Sequence, residues 1–495
     1  MENIICKKLN FSYPNSESPV LNDVSFSVDE GELCLVIGKS GAGKSTLLKL
    51  MKKEIAPVGD ISGTVQINGR VGYVAQNTEE NIVTDRVRSE LSFGLTNMGF
   101  GRDEIELSVS EIASYFNLSQ KLDAEISTLS GGEKQILNLA GVMIMKPDIL
   151  VLDEPTCQLD PVSAQRFLTV IKRLHRDFGT TVVISEHLTG ELFPYADSIL
   201  IIDNGQVLAK LAPLQAVEFL RQSNSSVLGF VPAFMRLFDG VDTVAGCRKI
   251  LKAKGLNSLS SIPDETACDM RIKNISFAYE KNQDVLKRLS LDIYKGRVNV
   301  ILGANSSGKS TLLKVAGGVL KAHHGKIKSD RRVAMLCQNP FDLFTRDKCA
   351  DEVTFGKITE FLQIDDIKEQ HPYDISGGQA QRLALAKVLE IGADIILLDE
   401  PTKALDSELK EKLAQILKEL CTLGKTVVIA THDIDFAGEY GDYISFLSNG
   451  EIVTTKPRRE FFSSLSFYTT CVSKITNGLA DGYAGEIDLR DGGVL

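Results

Sequence analysis

Two hydrophobic patterns alternate along this chain, and the whole succession occurs twice. Period-two alternation marks KKLNFSY (Lys7 to Tyr13) and VLNDVSFSV (Val20 to Val28), and it returns in RIKNISFAY (Arg271 to Tyr279) and VLKRLSLDI (Val285 to Ile293). Such alternation predicts strands with one buried face, here a small antiparallel sheet in each half. Short, nearly continuous apolar runs follow: LCLVI, ILVLD and TTVVIS in the first half, VNVI, IILLD and TVVIAT in the second. Rich in β-branched residues and separated by helical stretches, they predict a mainly parallel sheet covered on both faces. The expected fold class is α/β, built twice in tandem, with flanking helices, a small antiparallel β-subdomain and a helical subdomain in each copy.

The halves align through Tyr13 with Tyr279, Lys44 with Lys309, Gln76 with Gln338, Ser130 with Ser376, Glu154 with Glu400 and His187 with His432. The interval from Gln338 to Ser376 is shorter than that from Gln76 to Ser130, so a helical insertion has shrunk while the residues around it stayed. Duplication followed by divergence of the insertion explains this pattern. The expected organisation is a first domain over 1–240, a linker over 241–269, a second domain over 270–460 and a C-terminal segment over 461–495.

A chain of 495 residues exceeds what one hydrophobic core supports, which agrees with two domains. Its 43% hydrophobic and 24% charged residues are ordinary for a globular protein. No apolar run approaches a membrane span, and MENIICKKLNFSY lacks the apolar stretch of a secretory signal, so a membrane role is expected to come through a partner. Nine scattered cysteines without a C-x-x-C pair suggest reduced thiols, neither a zinc ribbon nor a disulfide framework. A net charge of −10 argues against a general nucleic-acid binder, and no nucleic-acid partner is expected.

The candidate chemistry begins with two phosphate-binding loops. GKSGAGKST comprises Gly38, Lys39, Ser40, Gly41, Ala42, Gly43, Lys44, Ser45 and Thr46; GANSSGKST comprises Gly303, Ala304, Asn305, Ser306, Ser307, Gly308, Lys309, Ser310 and Thr311. Both fit G-x-x-x-x-G-K-[ST], and each follows an apolar strand and opens a Leu-rich helical stretch. Backbone N–H groups and the helix N-terminus favour phosphate oxygens. Lys44 and Lys309 are expected to reach the β- and γ-phosphates of ATP, and Ser45 and Ser310 to offer hydroxyls to Mg²⁺. Ser306 stands where the first loop has Gly41, and a position that needs a positive φ tolerates serine poorly.

ILVLDEPT and IILLDEPT each end a buried strand in two carboxylates. Asp153 and Asp399 suit Mg²⁺; Glu154 and Glu400 suit a general base that polarises the attacking water. LSGGEKQ and ISGGQAQR place Ser130, Gly131, Gly132 and Ser376, Gly377, Gly378 just before amphipathic helices, a helix-cap pattern when taken alone.

In this order the motifs resemble the ATP-binding cassette (ABC) family, in which that serine and its glycines form the signature motif. The resemblance covers both halves, all but the linker and the extreme C-terminus. It implies an ATPase, a transporter ATP hydrolase (translocase), in which Tyr13 and Tyr279 stack on adenine. Gln76 and Gln338 would link Mg²⁺ and water to the transport partner, and Asp160 and Asp406 would couple the two sites. His187 and His432 match the switch histidine that contacts the γ-phosphate. The family also implies an intramolecular head-to-tail dimer: Lys44, Glu154 and His187 would work with Ser376, and Lys309, Glu400 and His432 with Ser130. Departures from the family pattern are Ser306, Glu133 in place of glutamine, and Cys157-Gln158 before Leu159-Asp160.

QNTEENIVTDRVRSELSFGLTNMG (Gln76 to Gly99) and QNPFDLFTRDKCADEVTFG (Gln338 to Gly356), with VPAFMRLF (Val231 to Phe238) and FFSSLSFYTTCVSKI (Phe461 to Ile475), are similar to the energy-coupling factor importers. That likeness implies an integral-membrane coupling subunit and a substrate-binding membrane subunit as partners. The location would be peripheral, on the cytoplasmic face of the cell membrane. The cargo would be a vitamin, a vitamin precursor or a cobalt or nickel ion. The two apolar stretches are read either as an interface between domains or as packing on their own domain. The alternatives are a tandem sugar importer, whose second cassette usually has a degraded glutamate, and a soluble tandem-cassette translation factor with a long charged linker.

Overall fold

LCLVI is buried at all five of its positions, and that total burial places it at the centre of a sheet with both faces covered. The structure is a computed structural model that describes residues 2–494 apart from 15, 17, 187–188, 261–266, 281–282, 404, 406 and 467, with the side chains of Glu80 and Lys357 also left aside. It divides into two compact units, Met1–Arg236 and Leu237–Leu495.

In the first unit, β1 (Glu2–Ser12), β2 (Leu21–Asp29) and β4 (Asp60–Ile67) form an antiparallel sheet in the order β2-β1-β4. The second sheet contains β3 (Leu33–Ile37), β5 (Val71–Val74), β6 (Ile149–Asp153), β7 (Thr181–Ser185), β8 (Ser198–Asp203) and β9 (Gln206–Leu211), in the order β5-β6-β7-β3-β8-β9. All its pairings are parallel except β8 with β9. β3, β6 and β7 therefore end along one edge, where ligands of open α/β sheets bind. Leu47 and Leu48 of the helix Lys44–Leu50 pack with Val36, Val151 and Val183 of the large sheet and with Ile4, Leu9 and Phe11 of the small one. One helix thus joins both sheets and seats the phosphate loop.

The second unit repeats this plan. β10 (Cys268–Ala278), β11 (Asp284–Tyr294) and β13 (His324–Lys328) pair as β11-β10-β13. β12 (Val298–Leu302), β14 (Val333–Leu336), β15 (Ile395–Asp399), β16 (Thr426–Thr431), β17 (Tyr443–Ser448) and β18 (Glu451–Pro457) pair as β14-β15-β16-β12-β17-β18. The helical insertions differ as the intervals predict. Helices of 11 and 14 residues, Val87–Asn97 and Arg102–Tyr115, have as counterparts Cys349–Glu352 and Lys357–Phe361, of 4 and 5 residues.

Residues 241–269 contain the helix Val244–Lys254, which belongs to the second unit and packs on the helix Cys471–Thr476. Arg248 donates to the Lys474 carbonyl at 3.1 Å, Lys254 to that of Val494 at 3.1 Å, and Tyr483 Oη to that of Asn257 at 3.0 Å. Phe461 and Phe462 are fully buried in the main core of this unit. In the first unit, Arg221 grips the other apolar stretch through the carbonyls of Met235 and Arg236, both at 2.7 Å.

The C-terminal residues close around the helix Ile434–Tyr440, which starts two residues after His432. Arg458 donates to the carbonyls of Gly438 (3.0 Å) and Glu439 (2.9 Å) and pairs with Asp488 at 2.7 Å. Asp488 is wholly buried; it also takes Arg459 at 2.8 Å and the N–H groups of Ala484 and Gly485, both at 2.9 Å. A side chain at Gly438 would place its Cβ 2.2 Å from Thr470 Cγ2, so only glycine lets this strap approach the helix.

Candidate active site

Each phosphate loop leaves its central strand and turns through left-handed backbone into its helix. Gly41 has φ +80°, and Ser306 takes the same turn at φ +61°. Serine was expected to be poorly tolerated there; the second loop nevertheless keeps the course of the first, with the strain of a non-glycine residue in that region. Lys44 and Lys309 fold back in the same way. Lys44 Nζ donates to the carbonyls of Gly38 (2.8 Å) and Lys39 (3.1 Å), and Lys309 Nζ to those of Gly303 (2.8 Å) and Ala304 (3.1 Å). Tyr13 Oη lies 3.1 Å from Thr46 Oγ1 and Tyr279 Oη 3.2 Å from Thr311 Oγ1. Each exposed ring, Tyr13 at 40% and Tyr279 at 60%, therefore stands beside the start of the phosphate-loop helix.

The carboxylate pairs sit at the ends of β6 and β15. Both glutamates have positive φ, +44° for Glu154 and +51° for Glu400. Strand hydrogen bonds hold the turned peptides: Glu154 N–H donates to the Ser185 carbonyl at 3.0 Å, and Glu400 N–H to that of Ala430 at 2.8 Å. Strain repeated at the same place in both copies is held by its surroundings, which is characteristic of functional positions.

The surroundings of the aspartates differ. Asp153 accepts from Ser45 Oγ (3.0 Å), Ser185 Oγ (2.9 Å) and Tyr73 Oη (3.3 Å). Strand pairing sets Asp399 opposite Ala430, where Asp153 faces Ser185, and Met335 occupies the place of Tyr73. Asp399 is fully buried, and neither of its carboxylate oxygens has a hydrogen-bond partner among the described residues. Burial pushes its pKa up to about 6; the nearby Ser310 hydroxyl tempers the shift without meeting it in hydrogen-bond geometry, and the Glu400 charge adds to it. Burial raises Asp153 as well, against the hydroxyls of Ser45 and Ser185.

Glu154 Oε1 lies 3.7 Å from Lys44 Nζ, and its Oε2 accepts from Gln76 Nε2 at 2.9 Å. Glu400 Oε1 lies 3.6 Å from Lys309 Nζ, while its Oε2 meets His432 Nδ1 at 2.9 Å and the Thr431 hydroxyl at 3.1 Å. Burial works to raise the Glu400 carboxyl, yet His432, Lys309 and Thr431 together hold it below the usual carboxylate range. Gln338 is exposed. His187 and Asp406 lie outside the described residues.

Ser130 and Ser376 are the N-caps of Gly131–Met143 and Gly377–Glu390. Glu133 and Gln379 close equivalent capping boxes, accepting from the serine N–H groups at 3.1 and 3.0 Å, so Glu133 performs the local task of glutamine. Both serines are exposed and bonded within their own cap. Asp160 likewise caps Pro161–Phe178, accepting from the N–H groups of Val162 and Ser163, both at 3.1 Å.

Three residues to which the sequence assigned no role tie the glutamine loop to the signature helix. Thr78 Oγ1 donates to Gln135 Oε1 at 2.9 Å, and Asn138 Nδ2 to the Thr78 carbonyl at 2.9 Å. Gln135 and Asn138 are polar residues on the buried face of an otherwise apolar helix, and that pattern was the available signal. No cluster of three or more metal-ligating side chains occurs among the described residues, and none of their helices is long and apolar enough to cross a membrane.

The family model of the ABC transporter matches residues 21–157 and 286–403. A Bacillus cereus protein with the provisional name ABC transporter ATP-binding protein is 34% identical, over 94% of this chain and 93% of its own length. A Methanosarcina acetivorans protein of the same name is 30% identical, over 92% of this chain and 86% of its own. Among solved structures, the archaeal ribosome recycling factor aABCE1 superposes with TM-score 0.66 at 21% identity, covering 92% of this chain and 91% of its own. The RNase-L inhibitor superposes with TM-score 0.64 at 22% identity, covering 92% of each chain. Those two likenesses are of fold. With both cassettes matched, and with relatives of this identity along nearly the whole chain, the protein belongs to the ABC transporter family as a fused two-cassette ABC ATPase.

Proposed function

We propose that this chain powers a membrane importer of the energy-coupling factor type, hydrolysing ATP with Glu154 and Glu400 as the bases that polarise the attacking water. The observation that carries the reading is a groove of about 450 Å³ in the helical part of the first unit, lined by Glu79, Asp85, Glu125, Lys134, Ile82 and Ile126. Glu79 lies three residues from Gln76, whose amide holds Glu154 at 2.9 Å. A partner element seated in the groove would press on the segment that positions the base. Val83 (64% exposed), Met98 (51%) and Leu107 (72%), in the same helical part, offer apolar surface to such a partner.

The chemistry follows from the site. Lys44 and Lys309 supply positive charge to the terminal phosphates, and the phosphate-loop helix N-termini add backbone N–H donors. Tyr13 and Tyr279 receive the base, and His432 holds Glu400 until the γ-phosphate competes for it. The buried oxygens of Asp399, without hydrogen-bond partners among the described residues, fit a divalent cation, and in this reading Ser45, Asp153 and Gln76 would hold Mg²⁺ in the first unit and Ser310, Asp399 and Gln338 in the second. When bound, the ion would offset the negative charge of the phosphates. The cargo class, a vitamin, vitamin precursor or transition-metal ion, rests on the likeness of the segments after Gln76 and Gln338.

Purification of the tagged chain from detergent-solubilised membranes tests the reading. An integral-membrane subunit should co-purify in fixed ratio. Ribosomal proteins in its place would overturn it in favour of a translation factor.

A further inference from the structure

Across the small sheet of the second unit, cation faces cation. Strand register sets Arg271 of β10 opposite Lys328 of β13, and Lys273 opposite Lys326; all four side chains are exposed. The same register in the first unit sets Ile5 opposite Gln66 and Lys7 opposite Thr64. Like charges directly opposite one another destabilise a sheet. Asp292 stands opposite Arg271 on its other flank, yet none of the four cations forms an ion pair among the described residues. Lys287 and Arg288 extend the charge onto β11, so the exposed positions of these strands carry six cations against two carboxylates, Asp284 and Asp292. The matching strands of the first unit expose Lys7 and Lys8 against Glu2, Asp23, Asp29 and Asp60. In a chain of net charge −10 this is a local reversal of sign. Lysines on an edge strand guard it against pairing with another chain, and β13 is an edge. Arg271 and Lys273 lie on the central strand, where that task does not arise.

We propose that this face of the second unit docks on the anionic headgroups of a phospholipid membrane. Residues two apart on a strand lie about 7 Å from each other and cross-strand neighbours about 5 Å, so Arg271, Lys273, Lys326 and Lys328 form one compact, nearly planar array. A bilayer containing anionic lipid presents many negative charges in one plane and attracts such clusters of Lys and Arg. It also supplies the counter-charge that the sheet lacks. The exposed positions of the three strands carry no aromatic ring on which a base could stack, so the face reads charge in a plane and is not built to grip a nucleic-acid strand. The inference rests on the importer reading, which puts the chain beside a membrane, and deepens it: the second unit gains an attachment to lipid that the first does not share.

The test is co-sedimentation of the full chain with vesicles of phosphatidylcholine, with and without about 30 mol % phosphatidylglycerol. The chain should bind the anionic vesicles and leave the neutral ones. Binding should weaken steeply as salt rises from about 0.1 M to about 1 M. Each cation near such a surface contributes about a fivefold factor in affinity, so Lys273→Gln combined with Lys326→Gln should weaken binding about 25-fold. That double variant should unfold at no lower denaturant concentration than the parent, because it relieves repulsion between exposed groups. Lys7→Gln, at the matching place in the first unit, should leave vesicle binding unchanged. Inorganic phosphate added at constant ionic strength should not displace the protein; displacement would assign the face to free phosphate and overturn the proposal. Equal binding to neutral vesicles, no binding to anionic ones, or undiminished binding by the double variant would overturn it too. So would a single-stranded RNA that binds through Lys273 and Lys326 more tightly than the vesicles do. The vesicles contain no partner protein, so a failure here leaves the importer reading to the co-purification test, and a failure of that test leaves the vesicle result standing.

Discussion

Lys44 Nζ stands 3.7 Å from Glu154 Oε1, and the duplicate reproduces the relationship at 3.6 Å between Lys309 and Glu400. Each lysine also leans on two carbonyls of its own loop, so its charge is satisfied before any phosphate arrives. In the proposed mechanism a γ-phosphate entering the loop would compete with the glutamate for the same cation and turn the freed carboxylate toward water. Substrate binding and release of the base would then be one event. Glu154→Gln and Glu400→Gln keep the shape and lose the base. The double variant should bind ATP within a few-fold of the parent and hydrolyse it at least about 100-fold more slowly, as read by nucleotide-affinity and phosphate-release assays. Undiminished turnover would remove both residues from the catalytic role.

Asp399 carries a pH dependence whose sign is fixed by its pKa of about 6, above the ordinary value near 4 for an unfolded aspartate. The folded state therefore holds this proton more tightly than the unfolded chain. Its contribution to stability is fully present below about pH 4 and is lost as pH rises through 6, about 3 kcal/mol in all. Asp399→Asn should flatten this part of the pH profile of the second unit, as followed by denaturant titration with amide hydrogen exchange on β15. Millimolar Mg²⁺ at pH 7 should restore part of the loss in the parent and none in Asp399→Asn.

Asp488 neutralises two arginines where no water reaches it. Removing one partner of a buried ion pair leaves charge uncompensated, so Asp488→Ala should cost about 3 kcal/mol or more. Gly438→Ala should cost about 2 kcal/mol, because the added methyl has no room beside Thr470. Both should raise hydrogen exchange over residues 434–440 and leave 149–153 unchanged. Equal protection at 434–440 in parent and variants would show that the strap does not hold that helix.

Burial drives the Cys6 thiol up to about 12 and that of Cys34 to about 11. The thiolate is the reactive form, so iodoacetamide at pH 8 should leave both unmodified in native protein and label them once the first unit is unfolded. Peptide mass spectrometry reads the result directly.

The elements of the site that were legible in the sequence are those whose chemistry is local. A phosphate loop, a carboxylate pair and a capping serine each fit within about nine consecutive residues, and each proposes its own strand or helix end. The hydrogen bonds that distinguish the copies were hidden, because they run between strands far apart in the chain. Tyr73 reaches Asp153 only through the pairing of β5 with β6, and Ser185 only through that of β6 with β7. Setting SEH beside ATH would have exposed the exchange of Glu186 for Thr431, since both motifs end on the aligned histidines. The placement of Val244–Lys254 was not readable at all. Its amphipathic face shows that it packs, and its partner helix lies more than two hundred residues away.

That partnership carries a consequence for how the chain is made. The helix Val244–Lys254 is synthesised before every strand of the second unit, yet its hydrogen bonds reach Lys474 and Val494. It must wait through the synthesis of a whole cassette before its surface can be covered. Closing so long a loop costs entropy that only the finished unit returns. A ribosome stalled anywhere between Gly255 and Cys471 would therefore hold a chain whose first cassette has all its strands while this helix still lacks its partner, a form open to proteases and chaperones. Assembly of the second cassette is, in effect, checked from its last residues backward.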